Sequence, residues 1–163
     1  MPTDQKSDAK DQGSKPGARV STRHRARRAA VQALYQWQAT LQEPAEIARQ
    51  FDEDAPRMDK TLFKELLFGT LAELQAIDAA LTPHLDRDIT KVDPVERAVL
   101  RLAAFELTRR LEVPLGVVLN EAVELAKTFG AESGHRYVNG VLDKLATDVR
   151  PEAGVVRTKR KSR

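Results

Sequence analysis

Cysteine is missing from all 163 residues, so neither a disulfide framework nor a thiolate zinc site can hold this chain, and nothing in it depends on an oxidising compartment. No apolar stretch of signal-peptide length opens the sequence, and no window approaches the roughly 20 apolar residues of a membrane-spanning helix. The expectation is a cytoplasmic protein that makes no membrane contact. Histidine occurs only as His24, His84 and His135, too far apart for a ligand pair at helical spacing. Glycine-rich phosphate loops, nucleophile elbows and dinucleotide fingerprints do not occur. Glu121 and Glu124 stand on an amphipathic helix, where a solvated or ion-paired face explains them. A non-enzymatic protein without metal or cofactor is expected.

Glycine and proline are few, eight of each, and strand alternation is almost nowhere to be found. What is present is charge, unevenly spread. Residues 1–28 hold eight Lys or Arg against three Asp or Glu, and residues 150–163 hold six against one, so both ends are basic and the body between them is acidic. Such a distribution favours a polyanion at one place and a basic partner at another, although solvated tails give the same arithmetic. Residues 1–20 carry almost no large apolar side chain and cannot offset their own ordering entropy, and the same holds for 150–163. Both are expected to be disordered extensions around a folded body over 21–149.

Helical spacing recurs through that body. Ala30, Leu34, Trp37 and Leu41 form one stripe of a helix over 22–41, and a short helix after Pro44 carries Ile47 and Phe51. A third helix over 59–80 aligns Leu62, Leu66, Leu74 and Ile77 and is expected to be the most buried. Asp93 and Pro94 read as cap and first residue of a fourth, with Glu96 in capping-box position. A fifth begins at Pro114 and ends at Gly130 in a left-handed terminus, and Ser133 caps a sixth. The fold class is therefore all-α, with six to seven helices in two packed bundles.

The densest signal is the segment 22–28, four arginines in six residues at the start of the first helix. Positive charge there opposes the helix dipole, which favours acids by a few tenths to about 1 kcal/mol each. An anionic ligand would remove that conflict, and arginine offers donor forks for phosphate and a plane that stacks on bases. A solubilising basic end is the plainer alternative.

Three blocks, RARRAAVQALYQWQ over 25–38, VERAVLRLAAFEL over 95–107, and NEAVELAKTFG over 120–130 continuing into HRYVNGVLDK over 135–144, together resemble the NusB family of transcription antitermination factors. The resemblance spans nearly all of 21–149. It implies a fold of two three-helix bundles and an RNA-binding adaptor that pairs with NusE, the ribosomal protein S10. It further implies binding of the single-stranded boxA element of nascent RNA, and entry into the RNA polymerase antitermination complex with other Nus factors, notably on ribosomal RNA operons. Carried over position by position, the RNA surface falls on Arg23, Arg25, Arg27, Tyr35, Phe129, Arg136 and Tyr137. Arginines neutralise phosphates and aromatic rings stack on unpaired bases, the usual way single strands are held. Tyr35 and Phe129 also fit packing positions. Glu96 maps to the partner-facing acidic position, which capping explains equally well, and His84 stands near the same partner surface where an aromatic is common. Ser133 replaces an acidic residue and His24 interrupts the arginine run.

Two rivals share features of this reading. The helical module preceding the catalytic domain of some ribosomal RNA cytosine methyltransferases has the same fold, but the tail after Val149 is far too short for a cofactor-binding domain. A helical binder of duplex DNA would place the basic helix in a major groove.

Overall fold

The computed structural model describes residues 21–130 and 133–152, and of residues 54–56 the backbone alone. The extensions expected to be disordered, 1–20 and 150–163, lie outside it except for residues 150–152. Among the described residues there are seven α-helices, three short 3-10 segments and no strand.

Local chemistry sets most of the boundaries. The Ser21 hydroxyl accepts the His24 amide at 3.0 Å and starts α1, Thr22–Thr40, which ends on Leu41 in a left-handed conformation. Proline occupies the first position of α2, Pro44–Arg49. A 3-10 segment, Asp52–Arg57, leads to α3, Lys60–Ala72, which is capped by Asp59 through the Leu62 amide. Helix α4 is Leu74–Leu81, followed by 3-10 turns at Thr82–His84 and Ile89–Lys91. Asp93 accepts the Val95 and Glu96 amides to start α5, Pro94–Arg109, as its sequence predicts. Helices α6, Leu115–Phe129, and α7, Gly134–Val149, complete the chain.

Helices α1, α2 and α3 form one bundle and α5, α6 and α7 the other, with α4 lying along α5. The two share α5, which packs on α1, α3, α4, α6 and α7. This corrects the expectation that the helix over 59–80 is the most buried. In α5 every residue over 98–107 is buried, because Ala98, Ala103 and Ala104 let neighbours approach from all sides. The helix expected over 59–80 is also broken, at Glu73, whose backbone (φ −104°, ψ 15°) leaves the helical region between α3 and α4. One turn earlier the bare backbone of Gly69 meets the Phe105 ring so closely that a Cβ there would lie 2.4 Å from it, and the break lets the chain continue along α5.

Three terminus expectations are revised. Pro114 is the cap of α6 rather than its first residue. Gly130 is extended, not left-handed, and glycine is required there because a Cβ would lie 2.7 Å from the Ala126 carbonyl oxygen. Ser133 sits before α7 but makes no capping bond, since its backbone is already right-handed helical and does not aim the hydroxyl at the free amides.

Candidate nucleic-acid interface

Helical geometry divides the arginine run. Residues 27, 30, 31 and 34 fall on one stripe of α1, and Ala30, Val31 and Leu34 on that stripe are core. Arg27 therefore turns inward. Its guanidinium donates to both oxygens of Glu106 on α5, at 2.8 and 3.0 Å, and lies 3.7 Å from Glu121 on α6. Burial pushes the Arg27 pKa down, but the Glu106 bonds and the charges of Glu106 and Glu121 outweigh it, so the pKa is raised overall. Arg27, expected on the RNA surface, is thus withdrawn from it: only 5% of the residue is exposed, and its Nε and Nη2 are committed to Glu106. His24, the interruption in the run, bonds Glu121 at 2.9 Å and so joins α1 to α6. The conflict with the helix dipole is relieved in part by these carboxylates.

Arg25, Arg28 and Gln32 follow the other stripe and face outward. They line one concavity with Ala29, Arg57 and Met58, and no carboxylate lines it among the described residues. The Arg28 guanidinium lies 5.8 Å from the centre of the Phe129 ring, within reach of a cation–π interaction, and fixes the end of α6 beside α1. Phe129 is half-buried against the core, so packing accounts for one face of it. Tyr35, further along α1, is 45% exposed, so the packing alternative does not hold for it and its ring is available to stack.

The remaining candidates are distributed around this face rather than gathered on it. Arg23 lies across α1 from Arg25 in a cleft that also carries Asp59, Glu65, Glu112 and Glu121, a setting less favourable to phosphate. Arg136 is exposed in a groove between α6 and α7 with Asn120, Glu124, Lys127, His135 and Asn139. Tyr137 points elsewhere. Its hydroxyl donates to Asp86 at 3.0 Å and the Arg87 guanidinium stacks 5.3 Å from its ring centre. Hydrogen bonds from Arg87, aided by that from Tyr137, hold the Asp86 carboxyl at about 2, and burial raises the Tyr137 phenol.

Glu96 stands at the same corner, its carboxylate so close to Gly134 that a Cβ there would lie 2.6 Å from an oxygen. Burial, with the charge of Asp93, raises its pKa above the ordinary glutamate value. His84 bonds Asp148 at 2.6 Å, tying the end of α4 to α7. Sequence reasoning passed over Gln32 and Arg57, and placed Arg28 in the basic run without mapping it to the RNA surface. Arg28 and Gln32 were legible from the helical repeat with Arg25, but Arg57 lies outside any periodic segment and gave no signal.

No described helix is long and apolar enough to cross a membrane, and no three of the described His, Asp or Glu side chains group as a metal ion would need. The geometry offers exposed guanidinium forks beside aromatic faces, the equipment for a phosphate-bearing, base-bearing chain. A model of the NusB family matches residues 24–147. The chain is 52% identical to the transcription antitermination protein NusB of Laribacter hongkongensis over 132 residues, 80% of each chain. It is 48% identical to that of Pasteurella multocida over 78% of this chain and 90% of the relative. Among solved structures it resembles NusB of T. maritima, with TM-score 0.71 and 30% identity over 80% of this chain and 94% of the other. It also resembles a chain from a crystal structure of the antitermination factors NusB and NusE in complex with dsRNA, with TM-score 0.69 and 29% identity over 78% and 97%.

Proposed function

The chain belongs to the NusB family, and we propose that it is a transcription antitermination factor: a non-catalytic RNA-binding adaptor that pairs with NusE, the ribosomal protein S10. In this reading it receives the single-stranded boxA element, and the assembly joins RNA polymerase with other Nus factors to keep transcription of ribosomal RNA operons processive. The observation that carries it is the face of Arg25 and Arg28 beside Phe129, which no carboxylate lines among the described residues. Exposed Tyr35 extends that face with a stacking surface. Arg23 and Arg136 are proposed to extend it from their own clefts, Tyr137 stands at the Asp86 corner, and Arg27 supports it from within.

Phosphate contacts give affinity without sequence information, so specificity must come from bases splayed on the aromatic rings and from the partner. Glu96 and His84, at the corner where α4, α5 and α7 meet, are the positions proposed to face NusE. The test is a titration with boxA RNA, scrambled RNA of equal length and duplex DNA, each with and without NusE. Tightest binding to boxA in the presence of NusE is expected. Equal affinity for all three ligands would defeat the proposal.

A further inference from the structure

Arg57 lies outside the arginine-rich helix, yet the chain holds it against that helix at two points. Met58, its neighbour, is buried at 6% exposure, and the Asp59 amide donates to the Thr22 carbonyl at 3.1 Å, fastening the end of the 3-10 segment to the first turn of α1. Arg57 is thereby placed in the same concavity as Arg25 and Arg28. None of the three guanidiniums has a carboxylate or carbonyl partner among the described residues; Arg28 has only the Phe129 ring. Several other arginines are spent, Arg27 on Glu106, Arg101 on Asp78, Arg109 on Glu73, and Arg150 on backbone carbonyls, whereas Arg23 and Arg136, also without such a bond among the described residues, stand in concavities that carry carboxylates. Three exposed arginines lining one concavity without a carboxylate among the described residues suit an anion, and arginine forks match phosphate oxygens.

We propose that Arg25, Arg28 and Arg57 form a clamp for a phosphodiester of the bound RNA backbone, with Arg57 as its arm from outside the helix. The proposal rests on the reading that this face takes RNA. Gln32, the remaining polar group of the concavity, stands where a sugar or base edge next to the clamped phosphate would reach it. Because the clamp grips backbone, its contribution is the same for every sequence.

The experiment measures affinity for boxA and scrambled RNA across a salt series, in the presence of NusE. The proteins compared are the wild type, Arg25→Gln, Arg57→Gln, the double variant, and Lys144→Gln as a distant surface control. Arg57→Gln should weaken both RNAs by the same factor, about tenfold at low salt, and reduce the log–log salt slope by about 0.7. The double variant should lose less than the product of the two single losses, because both arms hold one phosphate. Melting temperatures should be unchanged. An Arg57→Gln protein that matches the Lys144→Gln control in affinity and slope overturns the clamp, even if boxA remains preferred. Equal wild-type affinity for boxA and scrambled RNA, with the Arg57 effect intact on both, instead overturns the proposed function and leaves the clamp standing.

Discussion

Deleting the Arg27 side chain would leave the Glu106 carboxylate, 2% exposed, with its nearest remaining cation, Arg110, at 3.8 Å. A buried charge stripped of its partner costs on the order of 3 kcal/mol or more. Arg27→Ala should therefore lower the melting temperature steeply and lose RNA binding only through loss of the folded protein. Arg25→Ala should do the reverse, leaving the melt unchanged while RNA affinity and its salt dependence fall. Thermal melts and RNA titrations of the two variants side by side check this, and a stable Arg27→Ala protein with selectively reduced RNA affinity would return Arg27 to the binding surface. The inward turn of Arg27 was legible, since it shares the stripe of Ala30, Val31 and Leu34. Its partner was not: Glu106 is 79 residues away, and nothing local in a sequence says which carboxylate a buried arginine will meet.

Helix α5 holds the two bundles together, and its C-terminal end depends on a residue counted by sequence with the basic tail. The Arg150 guanidinium donates to the carbonyls of Glu106, Leu107, Arg110 and Val113, at 2.6 to 3.1 Å; Glu106 and Arg110 also accept a backbone amide, so the acceptors that depend on Arg150 are those of Leu107, in the last turn of α5, and Val113, in the turn into α6. Each half-buried carbonyl left without a donor costs about 1–3 kcal/mol less whatever water recovers. Arg150→Ala should lower stability by about 3 kcal/mol in urea unfolding, with no effect on RNA affinity of the folded protein; an unchanged midpoint would make the residue part of a free tail. Helix ends fixed by neighbours in sequence, such as Asp93 before Pro94, could be read directly. Those fixed across the fold, such as Arg150 on α5 or the break at Glu73 beside the Gly69–Phe105 contact, required the packing itself.

At the scale of the whole molecule the two proposed binding regions have different linings: the arginine face on α1 and the adjoining end of the 3-10 segment, and the Glu96 corner where α5 meets the start of α7. If NusE tightens RNA binding by some factor, RNA must tighten NusE binding by the same factor. Glu96 separates this coupling from direct RNA contact. Folding raises its pKa, so the protonated form is favoured in the folded protein; that contribution is complete below the unfolded-state value, about 4.3, and is lost as pH rises through the folded one. At neutral pH the charged carboxylate is thus a cost, and Glu96→Gln should melt above the wild type at pH 7, the gain fading as the pH falls below the ordinary glutamate range. The same variant should bind NusE more weakly while binding RNA alone as the wild type does. Calorimetric titrations of NusE with and without boxA, and of boxA with and without NusE, read all of these quantities. Weaker RNA binding by Glu96→Gln in the absence of NusE would place that carboxylate on the RNA path, and unchanged NusE affinity would leave it only its place beside the α5 cap.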